Sequence, residues 1–150
     1  MPTRYTHTNI IATDWRSLAE FYTEVFDCVL VPPERDQSGA WLARATGVAN
    51  AHLQGVHLRR LPGHGEDGPT LEIYAYTQML DKPASAANRK GLRHLAFAVD
   101  DVAATLEQVL SSGGQALGEV VTREVEGVGI LTFVYATDPE GNILELQRWH

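Results

Sequence analysis

At 150 residues the chain has the length of one domain, and 44% hydrophobic with 21% charged residues is enough to bury a core, which excludes disordered and collagen-like chains. A formal charge of −7 argues against nucleic acid and anionic membrane as partners, since both reward clustered Lys and Arg, and leaves a small molecule as the expected ligand. Cys28 stands alone, so no intrachain disulfide can form, no basic-then-apolar leader opens the chain, and no apolar run nears the roughly 18 residues a membrane helix needs. A cytoplasmic protein is expected.

Residues 7–12 read as a strand in which alternation puts His7, Asn9 and Ile11 on one face and Thr8, Ile10 and Ala12 on the other. Ser17 and Glu20 form a capping-box pattern, or Asp14 caps a slightly earlier start. Trp15, Leu18, Phe21, Tyr22 and Val25 then recur at helical spacing through Phe26, a stripe suited to lie on a sheet. A short strand at 29–31 should be stopped by Pro32 and Pro33, residues 41–45 read as a strand punctuated by Gly39 and Gly47, and 54–61 as another strand. The segment 62–69 is a turn by composition. Residues 71–76 return as a strand with Glu72 and Tyr74 on one face and Leu71, Ile73 and Ala75 on the other.

Residues 77–90, with Pro83 and no strong pattern, read as a linker. Beyond it, 92–99 is a strand with His94, Ala96 and Ala98 on one face, and Asp100 or Asp101 caps a helix whose stripe is Val102, Leu106, Val109 and Leu110. Gly113 and Gly114 end that helix where a left-handed residue is needed. Strands are expected at 117–123 and 130–136, and the turn Asp-Pro-Glu-Gly-Asn at 138–142 leads to a strand at 143–147.

The second half thus restates the first. In each a histidine opens a short apolar strand, an aspartate follows seven positions later, and a glutamate sits inside the closing strand: His7, Asp14 and Glu72, then His94, Asp101 and Glu145. The expected fold class is α+β, one domain over 1–150 built of two tandem βαβββ modules, 5–76 and 91–148. They form a curved mixed sheet with the helices on its outer face. A single strand histidine is more often packed or solvated than a ligand, and a lone glutamate is usually wet. Four such residues at matched places, each on the face opposite the helix-packing positions, point instead to convergence of His7, Glu72, His94 and Glu145 on a metal. Imidazole and carboxylate donors with room for water suit a divalent ion, Zn, Ni, Co, Mn or Fe. His52, His57 and His64 have no repeat partner and read as loop or surface residues, His150 as a frayed end, and the three tryptophans as core and rim.

The stretch HTNIIATDWRSLAEFYTEVF (7–26) and the pair HLAFAVDDVAATLEQVLSSGG (94–114) and DPEGNILEL (138–146) resemble the two modules of a bacterial glyoxalase I. Nearly the whole chain is similar to the vicinal oxygen chelate superfamily, which includes glyoxalase I, methylmalonyl-CoA epimerase, extradiol dioxygenases, fosfomycin-resistance enzymes and metal-free bleomycin-binding proteins. The resemblance implies a metal held by His7, Glu72, His94 and Glu145, two adjacent substrate oxygens replacing water on it, and a lyase or isomerase reaction through a metal-bound enediolate. Glu145 would be the base that moves the proton. It also implies a homodimer. An epimerase of methylmalonyl type is the nearest variant. A single-domain dioxygenase needs only two histidines and one glutamate and would leave Glu72 unnecessary. A drug-binding protein without catalysis need not keep the ligand set. Residues 45–56 depart from the family: glyoxalase I carries basic and polar residues there that grip glutathione and the epimerase an extra acid just before its third strand, whereas this stretch has no acid at all, which bears on the substrate rather than on the metal ligands.

Overall fold

The computed structural model describes residues 2–59 and 63–150, and the chain divides into two compact units, Met1–Lys82 and Pro83–His150. Each unit is a mixed sheet with a helix against one face, the α+β architecture expected.

In the first unit β1 (His7–Ile11) leads into α1 (Trp15–Phe26), followed by β2 (Val29–Ser38), α2 (Ala40–Thr46), β3 (His52–Arg59) and β4 (Thr70–Tyr76). The sheet order is β1-β4-β3-β2, with β1 parallel to β4 and the other neighbours antiparallel. Of the two caps open from the pattern, Asp14 is the one used: its carboxylate accepts from the Ser17 backbone N–H at 3.1 Å and from the Ser17 hydroxyl at 2.8 Å. The apolar stripe of α1 lies on β2, β3 and β4, where Val56, Leu58, Leu71 and Ile73 are all buried.

Three expectations for this unit need correction. The prolines do not stop the strand at Val31. β2 runs on to Ser38 because its pairing with β3 shifts register between Val31 and Arg35, and it is an edge strand, so Pro32 and Pro33 owe no N–H to a ladder. Residues 41–45 are helical: alanine-rich α2, framed by Gly39 and Gly47, packs Leu42 against Ala51, Leu53 and Tyr74, so burial sets its place. The expected strand 54–61 begins earlier, at His52; its last two positions, and the first of the turn at 62–69, lie outside the described residues.

In the second unit β5 (His94–Ala98) leads into α3 (Val102–Ser111), β6 (Gln115–Ala116), β7 (Val121–Val125), β8 (Gly129–Thr137) and β9 (Ile143–Trp149). The order is β5-β9-β8-β6, with β7 also on β8, and β5 is parallel to β9. Asp101 caps α3 by accepting from the Ala104 N–H at 2.9 Å, and Gly113 takes the left-handed conformation beyond its end (φ +96°). Val102 and Val109 are buried as the stripe requires, whereas Leu110, one residue round the helix from Val109, is exposed. The single strand expected at 117–123 is two strands. The N–H groups of Leu117 and Gly118 both reach the Tyr135 carbonyl, a two-against-one irregularity that parts β6 from β7. Nor is His150 frayed: its N–H donates to the Ile130 carbonyl at 2.9 Å and its ring meets Thr132.

Among the described residues no helix is long and apolar enough to cross a membrane.

Candidate functional site

The repeated histidine and glutamate fall in one register in both sheets. On the parallel pair β1 and β4, Asn9 lies opposite Glu72, so His7, two residues before Asn9, shares its face. On β5 and β9, Ala96 lies opposite Glu145, and His94 is again two residues before. The helix caps tie this spacing down, because Asp14 and Asp101 fix where each helix starts after the histidine strand. The opposite face of each glutamate strand is held by Leu71 and Ile73 in one unit and by Leu144 and Leu146 in the other, all at most 1% exposed. A slip of one residue would drive a carboxylate into that core.

In the first unit Glu72 is the centre of a polar network. Its Oε1 accepts from Asn9 Nδ2 at 2.8 Å, and its Oε2 lies 2.8 Å from His57 Nε2 and 3.8 Å from His7 Nε2. His57 Nδ1 is 3.1 Å from the Thr70 hydroxyl, and its Nε2 is also 3.1 Å from the Tyr74 hydroxyl. The His7 and His57 rings meet edge to face at 5.8 Å. Burial pushes the His57 pKa down, against the opposing pull of Glu72 and with help from Arg35 and His7. Burial, then the neighbouring Glu72 charge and hydrogen bond, push the Tyr74 phenol up to about 12. The Tyr74 ring needs room on this sheet, and Gly55 opposite it supplies that room: a Cβ there would collide with the Tyr74 ring and the Ile73 carbonyl.

In the second unit His94 Nε2 stands 3.0 Å from Glu145 Oε2, and the His94 ring tilts over Tyr135 at 5.1 Å. Two donors bound side by side to one first-row ion, each at about 2.1 Å, lie about 3 Å apart. The His94 and Glu145 pair has that spacing, and the His7 and Glu72 pair is wider. Imidazole nitrogen and carboxylate oxygen are the donor chemistry a divalent first-row cation takes, so the residues fit by pairs. Among the described residues no group of three or more His, Cys, Asp or Glu is arranged to hold a metal.

The site residue that the repeat pattern passes over is His57. It is neither loop nor surface: it lies on β3 directly opposite Glu72, with its side chain 19% exposed. Its counterpart in the second sheet is Tyr135, directly opposite Glu145, so the repeat conceals the position by changing the residue type. Alternation along the expected strand 54–61 was the available signal. His52 forms an exposed pair with Asp36 at 2.6 Å, and His64 is exposed, in keeping with their surface reading.

The sequence model of the family described as the Glyoxalase/Bleomycin resistance protein/Dioxygenase superfamily matches residues 4–146. No curated protein matches the chain by sequence. Among solved structures, a glyoxalase family protein from Bacillus cereus is similar at 19% identity and a TM-score of 0.74, over 98% of this chain and 93% of that one. A V278E glyoxalase I mutant from Zea mays is similar at 25% identity and a TM-score of 0.62, with 96% of this chain spanning 44% of the maize chain. A glyoxalase family protein from Enterococcus faecalis is similar at 23% identity and a TM-score of 0.58, over 96% of each chain.

Proposed function

The chain belongs to the Glyoxalase/Bleomycin resistance protein/Dioxygenase superfamily, and we propose that within it the protein is a metal-dependent lyase or isomerase of glyoxalase type. It moves a proton between neighbouring carbons of a small substrate that carries two adjacent oxygens. The observation that supports this most is the pair of histidine and glutamate couples in identical register, His7 with Glu72 and His94 with Glu145. All four are proposed as metal ligands, for a divalent ion, Zn, Ni, Co, Mn or Fe. When bound, such an ion polarises the substrate's adjacent oxygens and lowers the cost of negative charge on them.

The chain's own contribution is proton transfer and positioning. Glu145 is the proposed base: its Oε2 has one partner in its own unit, His94, and its side chain is 15% exposed, so it is partly shielded from water and free to turn toward a carbon-bound proton. Leu144 and Leu146, fully buried on the other face, keep its strand from shifting as it does so. Glu72, bonded at both oxygens, is suited to stay put. We place the protein in the cytoplasm as a homodimer.

Metal analysis of the purified protein, followed by a screen of 2-oxoaldehyde thiol adducts, tests this. About one divalent ion per chain is expected. Glu145→Gln should keep the fold and most of the metal while losing at least ~100-fold in turnover, the scale of a lost general base, and His7→Ala or His94→Ala should lose the metal. Absence of metal uptake, or full activity in Glu145→Gln, would overturn the catalytic reading in favour of a ligand-binding protein.

A further inference from the structure

Glu72 and Glu145 occupy the same place in the two repeats, yet their surroundings differ. Glu72 lies between Asn9 on β1 and His57 on β3, and its strand carries Tyr74 two residues on. Glu145 lies between Ala96 on β5 and Tyr135 on β8, and its strand carries Gln147 two residues on. Asn9 reaches Oε1 and His57 reaches Oε2, each at 2.8 Å, whereas Ala96 has no donor and Tyr135 packs its ring on His94 instead. Resting on the ligand roles proposed above, we infer that His57 is a positioning residue: it clamps the Glu72 carboxylate from β3 while Asn9 holds it from β1. Of two repeat-related glutamates, only Glu145 keeps the freedom to move.

The direction of the bond follows from the atoms. A carboxylate oxygen accepts and does not donate, so the proton between His57 and Glu72 sits on His57 Nε2. The Thr70 hydroxyl at Nδ1 holds the ring in that orientation from behind, as an outer partner does for a metal-binding side chain. The clamp does not consume Glu72 as a ligand, because its two carboxylate oxygens have four lone pairs between them, and Asn9, His57 and the Tyr74 hydroxyl take three. A carboxylate held at both oxygens loses little rotamer freedom when it binds an ion, which favours binding; it also cannot swing out to take up a proton, which is the task left to Glu145.

Two readouts test this. In the metal-free protein, 15N resonances of the His57 ring should show Nε2 protonated and shifted by Glu72→Gln; a bare, pyridine-like Nε2 would overturn the clamp. In a zinc competition against a chromophoric chelator, His57→Leu should weaken zinc about 10- to 100-fold, the usual scale for losing an outer-shell partner. His57→Gln, whose amide can donate from nearly the same point, should stay within about threefold of wild type. Equal zinc affinity in His57→Leu and wild type would overturn the inference, as would failure of glutamine to rescue. Should His57→Leu not fold, Thr70→Val removes the hydroxyl behind Nδ1 and should weaken zinc in the same direction; no change would count against the clamp. If wild type itself takes up no zinc, the metal reading falls and the nitrogen resonances alone decide whether His57 holds Glu72.

Discussion

Replacing Asp138 with alanine should cost about 3–4 kcal/mol of stability and disturb Glu145 without touching it. Asp138 is 1% exposed at the start of the turn before β9. Its Oδ1 accepts from the backbone N–H groups of Glu140 and Asn142, both at 2.9 Å, and its Oδ2 accepts from Asn142 Nδ2 at 2.8 Å. A hydrogen bond to a charged acceptor contributes about 1.5–3 kcal/mol, and stranding a partly buried donor costs about 1–3 kcal/mol. The two backbone donors set the cost, at about 1.5–2 kcal/mol each. Asp138→Asn keeps an oxygen for both N–H groups, and Asn142 can flip to receive the new amide, so that variant should lose only about 1 kcal/mol. Urea unfolding followed by circular dichroism measures both. With the turn loosened, the register of β9 against β8 is less tightly set, and the amide resonances of 143–147 should shift more than those of 70–76. A loss below about 1 kcal/mol for Asp138→Ala, or equal losses for the two variants, would refute this account of the turn.

Two further outcomes are expected. Tyr74 keeps its proton in the folded protein up to about 12, against 10.0 when unfolded; between those values the unfolded chain ionises first, so folding stability falls as pH rises. Tyr74→Phe should therefore show a shallower loss of stability than wild type from pH 10 to 12, by up to about 1.4 kcal/mol per pH unit, and identical slopes in the two proteins would contradict the burial of that phenol. The homodimer should appear in light scattering at micromolar concentration, and a monomer mass there would remove it.

What the sequence made legible is what local rules and the repeat govern. The seven-residue step from histidine to aspartate is readable because each aspartate caps the helix after its strand, and the face of Glu72 and Glu145 is readable because alternation is strict where leucine and isoleucine fill a core. The passage of β2 through Pro32 and Pro33 was hidden, because it depends on an edge position and a register shift against β3, which are tertiary facts. The helix α2 was hidden by its length: seven residues carry little periodicity, and burial of Leu42 against Leu53 and Tyr74 is what holds it. His57 was passed over because its meaning lies in the strand opposite. Its link to Glu72 spans fifteen residues of chain and needs the antiparallel register before it can be seen.

The two units differ most in the side chains beside each glutamate. The two sheets share a backbone plan so closely that histidine and glutamate keep the same register in both, and moving either would put a charge into a packed face of Leu71 and Ile73 or of Leu144 and Leu146. The positions flanking each glutamate carry no such constraint, Tyr74 excepted, whose ring packs on Leu42 and Leu53. Asn9 against Ala96, His57 against Tyr135 and Tyr74 against Gln147 differ in size, polarity and donor count, while their strands stay paired as before. Exchanging Asn9 with Ala96, or His57 with Tyr135, alters which polar groups each glutamate meets without moving a residue of either buried leucine and isoleucine face. What is peculiar to each unit is therefore to be sought in those pairs, and what the two units share in the histidine and glutamate that keep one register.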